Sequence, residues 1–226
     1  MIEPVEFTAA DGVTLRGELR PGDGHWAILV HDRDADLDSL APLAAELAQN
    51  GFSVLAFDQR GHGLSDGTWT HEGATLDVEA ACTCARARGA GQIVAAGAGT
   101  GGGALLDAAA TQPIDAVVVL SPILPGHLAL ADLRRSPVPK LFIVGSQDAT
   151  GEPAAREMHD VCIGPRLLVM LPSAAGGHEL LDGQTAAQAK SHSVGYLAHH
   201  RIELGNTEDQ RRPDARRHRR EADQVV

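Results

Sequence analysis

The chain has 226 residues, 43% of them hydrophobic, with 30 acidic side chains against 19 lysines and arginines and a formal charge of −11. That length suits one domain with a substantial core, and the charge argues against nucleic acid as a partner of the main body. No stretch approaches the roughly 18–20 apolar residues of a membrane span. The acidic start, Met1-Ile-Glu-Pro-Val-Glu, lacks the basic and apolar regions of a secretory signal. A cytoplasmic protein with no membrane contact is the resulting expectation.

Strand and helix signals alternate along the chain. Val5 to Thr8 and Val13 to Leu19 flank Asp11-Gly12, which reads as a hairpin turn. Trp26 to Val30 is a short apolar run of the kind that is buried on both faces. Leu40, Leu43, Ala44 and Leu47 recur at helical spacing, and Asn50-Gly51 closes that helix. Phe52 to Phe57 is the next strand. The alternation continues with a helix over Leu76 to Arg88, a strand over Gln92 to Ala96, a helix over Gly101 to Ala110 and a strand over Ala116 to Leu120. Lys140 to Val144 and Leu167 to Leu171 read as strands, with Pro153 to Val161 and Ala186 to His200 as helices. The pattern implies an α/β fold: a mostly parallel central sheet with an N-terminal antiparallel hairpin and helices on both faces.

The domain is expected to span residues 1–204. Residues 205–226 read as a disordered, arginine-rich tail, its six arginines nearly balanced by acidic residues. Cys82, Cys84 and Cys162 form no disulfide framework and find no paired metal ligands, so packing is expected of them. Neither a metal nor a cofactor is expected. The glycine run Gly97 to Gly103 lacks the lysine of a phosphate-binding loop.

That run carries the most informative motif. Ile93-Val-Ala-Ala-Gly97-Ala-Gly99-Thr-Gly101 is a strand entering a glycine-rich turn and then a helix, the context of a G-x-S-x-G nucleophile elbow. Asp58-Gln-Arg60-Gly61-His62-Gly63-Leu-Ser65 resembles a D-x-R-G-x-G-x-S loop. Gly145-Ser-Gln-Asp148 follows one strand, and Gly177-His178-Glu179 follows the last. In this order the motifs resemble those of the α/β-hydrolase superfamily over roughly residues 5–200. The resemblance is to its small, lidless, esterase- or peptidase-like members. Only Ile123 to Pro139 separates two strands where a cap domain would be inserted.

The resemblance assigns the catalytic acid to Asp148 and the histidine to His178, and a hydrogen bond between them is expected. It places Gly99 at the nucleophile position, with no side chain. Thr100 is the rival nucleophile if the elbow is read one residue later. The preceding strand and Pro113, fourteen residues after Gly99, favour Gly99, and so does the strained elbow backbone, which suits glycine. Thr100 then contributes its backbone N–H to the oxyanion hole, with His31, Asp32 and Arg33 at the other side of the binding site. Asp32 replaces the glycine usual after the histidine. Of the aspartates that follow, Asp36 and Asp38 are expected to face water, with Asp38 or Ser39 capping a helix. His31, His62, Ser65, Asp58 and Arg60 are expected to stabilise loops.

Without a hydroxyl at residue 99 no acyl-enzyme forms, and losing the serine of a triad costs on the order of 10⁶ in kcat. The reading is therefore a non-catalytic or impaired serine-hydrolase homologue that binds a small molecule or a partner in the old pocket. The alternative is a hydrolase or lyase acting on a small ester- or amide-like substrate through the His178–Asp148 dyad, with an activated water or Thr100.

Overall fold

A computed structural model describes the backbone of residues 1–210 and the side chains of residues 1–201; residues 211–226 lie outside the described part. The eight strands are β1 (Glu3–Thr8), β2 (Thr14–Arg20), β3 (His25–Val30), β4 (Ser53–Phe57), β5 (Gln92–Ala98), β6 (Ala116–Leu120), β7 (Lys140–Gly145) and β8 (Arg166–Leu171). They form one sheet in the order β1-β2-β4-β3-β5-β6-β7-β8. β2 is antiparallel to both β1 and β4, and the remaining pairs are parallel. The helices are α1 (Ala41–Gln49), α2 (His71–Ala87), α3 (Gly99–Ala108), α4 (Gly151–Val161) and α5 (Ala186–Gln210). This is the α/β-hydrolase fold. Between β6 and β7 there is only a 3-10 turn, Leu130–Arg135, and no cap.

Successive strand residues face opposite sides, and β3 shows both sides filled. Trp26, Ile28 and Val30 join Val78, Ala81 and Leu105 on one face, whereas Ala27 and Leu29 join Leu43, Leu47 and Leu197 on the other. Core residues thus cover both faces of the parallel sheet, which explains the unbroken apolar run of this strand.

Several boundaries differ from the sequence expectation: α3 starts at Gly99 and ends at Ala108, two residues earlier at each end, and α4 and β1 each start two residues earlier. α2 begins five residues before Leu76, because Thr70 caps it by accepting from Gly73 N–H at 3.0 Å. α5 continues to Gln210, past the expected boundary at 205; the arginine-rich part of the tail lies outside the described residues.

A buried ionic cluster ties the loop after β4 to α2. Asp77 is fully buried and takes Arg60 N–H at 2.8 Å and Arg60 Nε at 2.9 Å, while Arg60 Nη1 reaches Asp11 at 2.6 Å. Burial is the largest influence on Asp77 and raises its pKa; the Arg60 contacts oppose it. Arg60→Met leaves that carboxyl unpaired and should cost about 3–5 kcal/mol in chemical denaturation. Arg60→Met/Asp77→Leu should recover part of the loss.

Candidate functional site

The site lies at the carboxyl ends of β3, β5, β6 and β7, where ligands of open parallel sheets collect. β5 turns sharply into α3 at Gly99, whose φ is +51°. The flanking glycines have a steric reason. A Cβ on Gly101 would lie 2.1 Å from the His31 carbonyl oxygen, and one on Gly97 would lie 2.9 Å from the Gly101 backbone. The helix start is pressed onto the end of β3.

His31 fixes the loop beyond β3. It is fully buried; its Nε2 accepts from Gln59 N–H at 2.9 Å, which leaves Nδ1 as the donor to the Asp32 carbonyl at 2.6 Å. Burial is the main cause that lowers its pKa below the usual histidine value. Asp58 braces the same region, accepting from Leu37 and Leu64 N–H groups at 3.1 Å each and, through its carbonyl, from Ser65 Oγ. His62 contacts the Arg33 and Arg60 carbonyls. Asp36, rather than Asp38 or Ser39, caps the first turn after this loop by accepting from Asp38 N–H at 3.1 Å.

This loop delivers Asp32 to the N-terminus of α3. Its Oδ1 accepts from Thr100 N–H at 3.1 Å, Thr100 Oγ1 at 2.8 Å and Arg33 N–H at 2.7 Å. A carboxylate is favoured there by the helix dipole and the free N–H groups. Its Oδ2 lies over Gly99, 1.9 Å from where a Cβ on that residue would stand. The carboxylate therefore occupies the space of a side chain at 99 and takes the Thr100 backbone N–H at the start of α3.

Asp32, Gly99, Ser121, Asp148 and Gly177 line a cavity of about 510 Å³. Ile123, Leu124, Leu130 and Met158 give the same cavity an apolar lining. The segment bearing the first three is held to α3 by Asp107, which takes His127 Nε2 at 3.0 Å and Arg135 Nη2 at 2.8 Å.

Several expected site residues stand elsewhere. The hydrogen bond between Asp148 and His178 is not formed. Asp148 Oδ1 instead accepts from Gly151 N–H at 2.8 Å and Thr150 N–H at 3.2 Å, at the start of α4, and His178 Nδ1 is buried without a partner. His178 does not line the cavity; its neighbour Gly177 does. Thr100 is 5% exposed and its hydroxyl is committed to Asp32 and to Arg33 N–H, and the residue is not among those lining the cavity. Arg33 contributes its backbone; its guanidinium pairs with Asp34 and lies over Trp69. Among the described residues no group of three or more histidine, cysteine, aspartate or glutamate side chains is placed to hold a metal ion.

Ser121 was not singled out in the sequence. It is 5% exposed, its Oγ has no hydrogen-bond partner, and its φ of +41° is the one left-handed value among the described non-glycine residues. Such strain gathers at functional sites. A serine followed by proline carries no local signal of it.

The fold is that of an α/β-hydrolase, and comparison with known proteins supplies the family. Residues 26–194 match the family described as Serine aminopeptidase, S33, and the chain belongs to it. It is 27% identical over 203 residues to the uncharacterized protein YfhR of Escherichia coli K12, covering 75% of this chain and 72% of that protein. The structure of the Pyrococcus furiosus esterase Pf2001 superposes with a TM-score of 0.75 at 20% identity, over 88% of this chain and 92% of that one. Est1E from Butyrivibrio proteoclasticus, solved with ferulic acid bound, gives a TM-score of 0.76 at 17% identity over 88% of this chain and all of the other. The described residues contain no helix long and apolar enough to cross a membrane.

Two outcomes follow from this geometry. In a thermodynamic cycle, Gly99→Ala should destabilise by about 1–3 kcal/mol while Asp32 is present and by less in the Asp32→Gly background, measured by urea unfolding. For His31, with its folded pKa below the unfolded 6.5, the unfolded chain takes up the proton first as pH falls. Its contribution is complete above about pH 6.5 and declines below it. The thermal midpoint should therefore drop between pH 7 and pH 5, with a shallower slope in His31→Gln.

Proposed function

We propose that this protein is a non-catalytic serine-hydrolase homologue that binds a small molecule in the cavity above Gly99. The position of the Asp32 carboxylate carries the reading. A serine hydrolase needs a nucleophile at the elbow and an empty set of donors for the oxyanion. Here residue 99 has no side chain, and Asp32 holds the Thr100 N–H while filling the space above it. Developing negative charge on a substrate carbonyl would meet a carboxylate.

The dyad alternative draws less support. A general base has to be oriented towards the group it deprotonates. His178 lacks the Asp148 contact that would orient it, and it stands outside the cavity wall. The cavity itself favours binding: its volume is within the range of small-molecule sites, about 300–1,000 Å³, and it combines an apolar wall with a few convergent polar groups.

The test is hydrolysis of p-nitrophenyl acetate and butyrate. The wild type should show no turnover that depends on His178, judged against His178→Ala. Gly99→Ser alone should remain inactive, because the new side chain and Asp32 compete for one space. Saturable wild-type turnover abolished by His178→Ala would overturn the reading.

A further inference from the structure

We propose that the ligand of this cavity is an organic ammonium: a primary amine with an apolar body, its nitrogen held between Asp32, Asp148 and Ser121. The proposal rests on the binding reading above and names the chemistry of what is bound.

Charge is the first argument. Asp32 and Asp148 line the cavity and Glu157 stands at it, whereas none of the lining residues is lysine, arginine or histidine. Asp32 and Asp148 each direct one oxygen to backbone donors, leaving Oδ2 of each with no hydrogen bond. Two free carboxylate oxygens with no cationic side chain beside them make the cavity negative, which favours a cation, and the chain's net charge of −11 attracts cations from a distance.

The second argument is independent of charge. Ser121 is 95% buried by its 5% exposure, lines the same cavity, and leaves Oγ unpartnered on a strained backbone. Buried hydroxyls are almost always paired, so this one lacks a partner that a ligand can supply. The three acceptors border two adjacent glycines. Asp148 Oδ2 and Ser121 Oγ lie 2.6 and 3.6 Å from the point where a side chain on Gly176 would begin, and Asp32 Oδ2 lies 3.2 Å from the matching point on Gly177. Glycine at both positions keeps that space open.

Three acceptors match the three N–H donors of a primary ammonium. A metal ion fits less well, since among the described residues no group of three histidine, cysteine or carboxylate side chains is close enough to share one. The wall formed by Ile123, Leu124, Leu130 and Met158 takes an alkyl or aryl body. A site that in a serine hydrolase accommodates developing negative charge has thereby reversed its preference.

The experiment is isothermal titration calorimetry of the full chain with 4-phenylbutylamine, 4-phenylbutan-1-ol and 4-phenylbutanoate, which share one apolar body. The amine should bind at least about tenfold more tightly than the alcohol, a gap of about 1.4 kcal/mol, and the carboxylate should not bind. Asp32→Asn keeps the shape of the side chain and should weaken the amine about tenfold while leaving the alcohol unchanged, the strength expected of a charge-assisted hydrogen bond. Ser121→Ala should weaken the amine more than the alcohol. No amine binding, equal affinity for amine and alcohol, or amine affinity indifferent to Asp32→Asn would overturn the proposal. Ester hydrolysis measured on the same samples separates the two readings. Wild-type turnover strikes the non-catalytic reading alone, and a silent amine titration without turnover strikes the ammonium proposal alone.

Discussion

One steric and electrostatic competition governs the site: the Asp32 carboxylate, where it stands, and a side chain at residue 99 claim the same space above the elbow. Oδ2 is 1.9 Å from the Cβ position of Gly99, well inside any tolerable contact. The absent side chain at 99 and the aspartate at 32, 67 residues apart in sequence, are therefore one feature rather than two. Either alone would be awkward. A glycine without the aspartate would leave the helix N-terminus facing the cavity, and the aspartate without the glycine would collide.

The surrounding loops make that arrangement rigid. His31 is clamped between Gln59 N–H and the Asp32 carbonyl, Asp58 gathers donors from two loops, and Arg60 anchors the second loop to the buried Asp77. Each of these groups is buried and already paired. Swinging the Asp32 carboxylate away would strip it of three donors, so its placement belongs to the folded architecture more than to a mobile gate.

Much of this was legible in the sequence because it depends on local patterns. A turn dipeptide located the first two strands, apolar runs of five or six residues located the parallel ones, and the glycines at 97 and 101 marked the close approach of α3 to β3. What stayed hidden depends on loop conformation. The Asp148–His178 contact was expected from motif order, yet order does not determine how the loops after β7 and β8 turn. The backbone N–H groups opening α4 claim Asp148, and Gly176-Gly177 imposes little on the path leading to His178. Ser121 gave no warning either, since a left-handed serine looks like any other in sequence. Asp32 was visible as an oddity, but only the tertiary fold places it over residue 99.

The occupancy of the donor site by Asp32 has a consequence that a free anion would not have. A bound solute can be displaced by a substrate at sufficient concentration. Asp32 is tethered one residue from a buried histidine, so its effective concentration at Thr100 is set by the fold and is not diluted. A transition-state oxyanion would have to expel it and then approach its charge across a few ångströms of partly desolvated space, where repulsion is stronger than in water. Restoring a serine at 99 does not remove that obstacle. On the proposed non-catalytic reading, serine-hydrolase chemistry is thus opposed twice, once by the missing hydroxyl and once by a carboxylate that the helix dipole of α3 favours where it is.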